Sequence, residues 1–314
     1  MTTKANSQGD TMKKINSIVV TTFNHSQFIA QCIESILNQN VEDLEIIVVD
    51  DGSSDDTPLI AAKYAMEGVR LYEKVNGGPS SATNFGIDKT QGKYIFILSG
   101  DDVLLPNSIT PRFEALSHPA VNIVTSVPFW INDAGRRLRG DEYQPIFSNP
   151  GLLTPLQLFE KLLFQGNFIC APSVAFTRNC WVTVGRFNEL LWQLQDYEYW
   201  LRAAAAGFRI HFLDEPLIEY RAHENNLSTS NRSRLEWEID MVIPNAPTFL
   251  SQADVQQLLF GDGFRNIDLG IEREFLLPFV SIKNPRQSVA TIGQWQLSKM
   301  AKNQQNLEVL SSKM

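Results

Sequence analysis

The sequence predicts an α/β fold: a mostly parallel sheet flanked by helices, followed by a C-terminal helical region. Three observations predict it. Short β-branched runs alternate with stretches of helical spacing up to Leu98. The runs Ile18-Val19-Val20 and Ile46-Ile47-Val48-Val49 are apolar without a polar face, as strands covered on both sides are. Polar residues gather directly after these runs, where open α/β sheets bind ligands.

Taken in order, residues 1–13 are polar and read as a disordered tail. Ile15 to Thr22 is the first strand. Phe28, Ile29, Cys32, Ile33, Ile36 and Leu37 then recur at helical spacing, with Ser26 placed to cap that helix. Leu44 to Val49 is the second strand and a helix follows from about Thr57. Val69 to Glu73 is a third strand, Asn76-Gly77-Gly78-Pro79 a turn, Ser80 to Lys89 a helix, and Lys93 to Leu98 a fourth strand. Beyond it the spacing predicts strands over Val121 to Trp130, a helix over Leu156 to Phe164, a helix over Asp196 to Ala206 and strands within Arg209 to Tyr220. A boundary near Asn226 to Ser233 divides a domain at 14–230 from a helical extension at 231–314, with helices over Leu235 to Val242, Ala253 to Phe260 and Ser288 to Leu310.

Composition narrows the function classes. The chain has 314 residues and a formal net charge of −8, which disfavours a nucleic-acid binder. Its three cysteines, Cys32, Cys170 and Cys180, form no CxxC pair, so neither a disulfide framework nor a structural zinc site is expected. No apolar run approaches the ~18 residues of a membrane span, and the polar N-terminus does not read as a signal peptide. The expected location is the cytoplasm, at most at the inner face of a membrane.

Three loops would deliver chemistry to one crevice: Thr21, Thr22, Phe23 and Asn24 after the first strand, Asp50 and Asp51 after the second, and Ser99, Gly100, Asp101 and Asp102 after the fourth. The segments Ile18-Val19-Val20-Thr21-Thr22-Phe23-Asn24, Val48-Val49-Asp50-Asp51-Gly52-Ser53-Ser54 and Lys93-Tyr94-Ile95-Phe96-Ile97-Leu98-Ser99-Gly100-Asp101-Asp102, in that order, resemble the family 2 glycosyltransferases. Gln195-Asp196-Tyr197-Glu198-Tyr199-Trp200 resembles the family's acidic motif, and Tyr220-Arg221-Ala222-His223 its tail. The resemblance spans roughly Ile15 to Ser228. It implies the GT-A fold and an inverting, metal-dependent enzyme. Such an enzyme would move a sugar from a nucleotide-diphosphate donor, a UDP-sugar foremost, to a saccharide or lipid-linked saccharide, as in cell-surface polysaccharide synthesis.

The resemblance also implies roles. Asp51, and less directly Asp50, would accept from a pyrimidine imide N–H; Thr21, Phe23 and Asn24 would line the nucleoside; Asn84 and Arg221 would lie near the donor. Ordinary turn and strand-end packing remain open for these positions. Asp101 and Asp102, with His223, would hold Mn2+ or Mg2+ on the diphosphate. The family's usual Asp-x-Asp-Asp reads Ser99-Gly100-Asp101-Asp102 here, and Thr83 stands where an Arg is usual beside Asn84. Asp196 would be the general base, one base sufficing because a nucleoside diphosphate leaves without protonation. A helix-terminal Asp satisfying backbone N–H groups is the competing account. Two alternative functions remain at this level: a nucleotide-sugar-binding relative impaired in turnover, and a nucleotidyltransferase on a similar sheet. The latter lacks a phosphate-cradling Gly-rich loop here. The C-terminal helices suggest subunit or domain packing, including a homodimer, more than peripheral membrane binding.

Overall fold

The computed structural model describes residues 16–39, 41–224, 226–227, 231–268 and 272–301. The expected tail at 1–13 and the end of the last predicted helix lie outside them.

The first strand, β1 (Asn16–Thr22), forms where the β-branched run begins, and β2 (Leu44–Asp50) and β4 (Tyr94–Ser99) pair with it in parallel on either side. β3 (Val69–Glu73) extends the sheet beyond β2. On the other side come β8 (Ala175–Thr177), β6 (Ile123–Ser126) and β9 (Ile210–Leu213), giving the seven-stranded order β3-β2-β1-β4-β8-β6-β9. β8 runs antiparallel to both β4 and β6, so the sheet is mixed about one strand. A small second sheet, β5 (Val103–Leu104), β10 (Ile218–Arg221) and β7 (Phe129–Ile131), sits beyond the end of β4.

Alternation along the strands assigns two cores. Ile18 and Val20 of β1 pack with Ile46, Val48, Phe96 and Leu98 under α1 (Ile29–Leu37) and α4 (Ile109–Ser117). Val19, Ile95, Ile97, Ile123 and Phe176 face the opposite way, against α5 (Pro155–Gln165) and α7 (Gln195–Ala205). The helix α3 (Pro79–Asp88) lies so close to β1 that a Cβ on Gly86 would come within 2.3 Å of Val19. Between β2 and β3 a short α2 (Thr57–Ala61) runs into a 3-10 turn, and α6 (Arg178–Val184) follows β8.

The C-terminal helices α8 (Arg232–Asn245), α9 (Gln252–Phe260), α10 (Arg273–Ile282) and α11 (Gln287–Ala301) do not form a separate core. Their Val242, Ile243, Val255, Leu276, Val280 and Val289 are buried in the same cluster as Ile95 and Phe176. Ser26 does not cap α1: the residue before the helix is Phe28, and the Ser26 N–H donates to Asp55 Oδ2 at 3.0 Å instead. All three cysteines are buried free thiols.

Candidate active site

The C-terminal ends of β1, β2 and β4 open on one side of the sheet, and the predicted loops meet there. The Asp51 N–H donates to Thr22 O at 2.9 Å and the Gly100 N–H to Thr21 O at 2.9 Å, so the loops after β2 and β4 are both tied to β1. A side chain at position 100 would strike Thr22 Oγ1 at 2.7 Å, which explains the glycine.

Asp50 and Asp51 are both buried, with different partners. Asp50 closes its own turn. It accepts from the N–H groups of Gly52 (3.1 Å) and Ser53 (2.8 Å) and from the Ser53 hydroxyl at 2.5 Å. Asp51 reaches across to the turn before α3, accepting from Lys74 Nζ at 2.6 Å and from the N–H groups of Gly77 and Gly78, the latter at 2.8 Å. The Gly77 N–H is shared between the two oxygens, so each oxygen already meets two donors. Thr21 is half-buried beside them, and Phe23 is 44% exposed with its ring open to solvent. Asn24, in the left-handed region at φ 55°, accepts from the Ser54 N–H at 2.8 Å and so clips the β1 loop to the β2 loop.

The acidic pair after β4 splits. Asp101 Oδ2 shares a hydrogen bond with His223 Nε2 at 2.9 Å and lies 3.9 Å from His25 Nε2. Burial opposes its charge, but the His223 bond, the nearby His25 and the Ser99 hydroxyl outweigh that and hold the carboxyl down at about 2. Burial pushes His25 below its ordinary value, against the pull of Asp101. Asp101, His25 and His223 offer ligand atoms all within 4.8 Å of one another. Asp101 Oδ1 and His25 Nδ1 are buried and lack a hydrogen-bond partner among the described residues. A carboxylate and two imidazoles this close together, with one oxygen and one ring nitrogen of the set unpartnered, fit a divalent cation.

Asp102 is elsewhere. It is 1% exposed, and its Oδ1 accepts from the Arg221 backbone N–H at 2.8 Å. Burial, and then the Asp101 charge, push its carboxyl well above the usual range. Asp102 lies outside that three-residue cluster, although its Oδ2 too is buried without a hydrogen-bond partner among the described residues, and His25, whose loop position gave no sequence signal beyond its residue type, takes the third place.

Two further expected donor contacts are spent on structure. Arg221 is fully buried, its Nε on Asp101 O (2.7 Å), its Nη1 on the carbonyls of Asn132 and Asp133 (2.9 Å each) and its Nη2 on Gln31 Oε1 (2.7 Å). Its guanidinium also lies over the Phe28 ring at 4.7 Å. It holds the small sheet to α1 rather than facing the crevice. Asn84 is fully buried too, bonded to Phe187 N and O and to the Glu189 carboxylate at 2.9 Å each.

Asp196 sits in the first turn of α7 but does not cap it; the residue before the helix is Leu194, with no side-chain cap. The carboxylate is half-buried, accepting from Asn167 Nδ2 at 2.8 Å and from the Tyr197 N–H at 2.7 Å. Burial, joined by the Glu238 charge and opposed by the two hydrogen bonds, raises it to about 6. A carboxylate near 6 is tuned for proton abstraction at neutral pH. Glu198, the nearest other carboxylate on α7, is instead paired with Arg202 at 2.7 Å.

Comparison with known proteins settles the family. The glycosyl transferase family 2 profile matches residues 17–179. The chain belongs to that family. It is 33% identical over 230 residues to an uncharacterized glycosyltransferase of Rickettsia conorii, covering 71% of this chain and 36% of that protein. A Rickettsia prowazekii glycosyltransferase is 32% identical over 70% of this chain and 68% of its own length. The chain thus spans only about a third of the longer Rickettsia relatives. Among solved structures, Staphylococcus aureus TarS 1–349 in complex with UDP-GlcNAc superposes with a TM-score of 0.63 at 17% identity, covering 88% of this chain and 83% of that one. A Pyrobaculum calidifontis mannosyltransferase in complex with GDP-Man and Mn2+ gives 0.54 at 15% identity, covering 95% and 83%. These likenesses establish the GT-A glycosyltransferase fold.

Proposed function

We propose that this chain is an inverting glycosyltransferase that moves a sugar from a nucleotide-diphosphate donor, a UDP-sugar foremost, to a saccharide or lipid-linked saccharide. The observation that carries the reading is the cluster of Asp101, His25 and His223 at the end of β1 and β4, with unspent ligand atoms. These three residues would hold a divalent cation. When bound, it supplies charge stabilisation to the departing diphosphate. Two imidazoles in the set favour Mn2+ over Mg2+, which prefers oxygen ligands. Asp51 would take the uracil imide N–H in exchange for one of its present donors, and the open Phe23 ring would lie against the nucleoside. Asp196 would take the proton of the attacking hydroxyl, Asn167 orienting it by donation to Oδ2. A single displacement with one base inverts the anomeric centre.

Among the described residues no helix is long and apolar enough to cross a membrane. A lipid-linked acceptor would therefore be met at the surface. The test is a thermal-shift panel of nucleoside diphosphates with and without Mn2+. UDP with Mn2+ at about 100 times its Kd adds roughly 2.7 kcal/mol of stability. No shift from any nucleoside diphosphate in the presence of metal removes the donor-site reading.

A further inference from the structure

We infer that Glu238, on α8 of the C-terminal helical region, is the positioning residue for Asp196. The inference rests on the proposed role of Asp196 as base. Glu238 is fully buried and accepts from three consecutive backbone N–H groups, Trp192, Gln193 and Leu194, at 2.8 Å each. Its Oε1 also accepts from Arg234 Nε at 2.7 Å, one helical turn away. A buried carboxylate with its lone pairs filled by charge-assisted bonds fixes whatever donates to it. What donates here is the segment that starts α7, so Asp196 follows two residues after the last anchored N–H.

The same segment reaches the donor side. Leu191 O accepts from the Ser80 hydroxyl at 2.8 Å. Gly78, at φ +84°, packs against Trp192 so tightly that a Cβ would lie 2.7 Å from the indole. Gly78 is also the residue whose N–H donates to Asp51. Glu238 therefore anchors one short stretch of chain that touches the Asp51 turn at one end and carries the base at the other. Its negative charge also bears on Asp196, in the direction that makes the base more basic. Arg234, with its guanidinium over Trp192 at 4.7 Å, is the cation facing Glu238 on α8. From α7, Asp196 is the titratable group its field reaches.

The experiment uses the full chain with Asp carboxyls labelled at 13Cγ, the Asp196 signal being assigned by its loss in Asp196→Asn. UDP release from UDP-N-acetylglucosamine with Mn2+ is measured in parallel. In Glu238→Gln the Asp196 titration is expected to move to lower pH. Turnover at saturating donor should fall at least 10-fold, and adding Glu238→Gln to Asp196→Asn should cost nothing further. Arg234→Met, which strips the counter-charge and keeps the packing, should move the titration the other way; it carries the test if Glu238→Gln does not melt cooperatively. An unmoved Asp196 titration in these variants, or a turnover loss that adds fully to that of Asp196→Asn, overturns the proposal while leaving the base in place. Wild-type turnover in Asp196→Asn overturns the base assignment, and the proposal with it.

Discussion

Replacing Asp196 by Asn should make the protein slower and remove a pH-dependent loss of stability. The side chain is nearly isosteric but has one acceptor oxygen where the carboxylate uses two, so it keeps the bond from Asn167 Nδ2 or the one from the Tyr197 N–H and loses the other, at a cost of about 1–3 kcal/mol at either pH. A neutral amide cannot take a proton, and loss of a general base costs about 10²–10⁴-fold, or roughly 3–5 kcal/mol of barrier. Stability responds to pH as well. The carboxyl is raised from 3.8 to about 6 in the folded protein, chiefly by burial. A raised folded pKa means a stabilising contribution fully present below pH 3.8 and lost as pH rises through 6. At pH 7 the wild type has lost up to about 3 kcal/mol relative to a neutral side chain at that position, and partial solvent access brings the pH-dependent part to roughly 1–3 kcal/mol. Urea denaturation at pH 7 and at pH 3.5 reads this directly: the variant is less stable than the wild type at 3.5, and the deficit shrinks by that amount at 7. The wild-type rate should fall below pH 6 with the slope of a single protonation. The reasoning fails if the stability difference between variant and wild type is the same at both pH values, or if turnover is unchanged; either result returns Asp196 to a local role at the helix start.

The remaining predictions concern the crevice after β4. Asp101→Asn should weaken Mn2+ binding by about 100-fold or more, since even outer-shell changes cost roughly 10–100-fold; His25→Ala and His223→Ala should also weaken it, and Asp102→Asn should not. Mn2+ electron paramagnetic resonance titrations distinguish these, and equal effects at 101 and 102 would restore the acidic pair as a joint ligand. Chelation of the metal should abolish turnover and return on Mn2+ addition. Arg221→Met should cost roughly 3–5 kcal/mol in urea denaturation, because it leaves buried carbonyls unpaired; unchanged stability with weakened UDP binding would make it a phosphate contact after all.

Much of the fold is legible because strand runs such as Val48-Val49-Asp50-Asp51 carry both their burial pattern and their stop in sequence. The helices after Asn231 are less so. Pro278 sits inside α10 and hides its periodicity, and Pro244 does the same in α8. The reversal of β8 is invisible because a strand buried on both faces has no directional signature. At the site, residue types and loop positions are legible for Asp51, Asp101, His223 and Asp196. The division of labour is not, because it depends on which backbone groups arrive from far away. Arg221 meets the carbonyls of Asn132 and Asp133, and Glu238 meets a loop 44 residues or more upstream. A buried Glu on an otherwise polar helix start carries no mark in sequence that separates it from the solvated Glu236 beside it.

Three carboxylates of the crevice differ in what their surroundings allow, and those differences fit the three tasks of the proposed reaction. Asp101 and Asp102 are adjacent and both buried, yet one is held at about 2 and the other well above the usual range. Burial acts on both. The difference is that Asp101 has two imidazoles beside it, whereas Asp102 has a single backbone N–H and its neighbour's charge. Two like charges so close do not both ionise cheaply. The one held low is the one beside the two imidazoles, and the one pushed up braces β10 through the Arg221 backbone N–H. Asp196 lies between these extremes: burial raises it, and its hydrogen bonds, those from Asn167 and the Tyr197 N–H among them, offset part of that rise. A group pinned as low as Asp101 would be too weak a base to take a hydroxyl proton. Of the three, Asp196 is the one raised only to about 6, a value that fits the base of the proposed reaction.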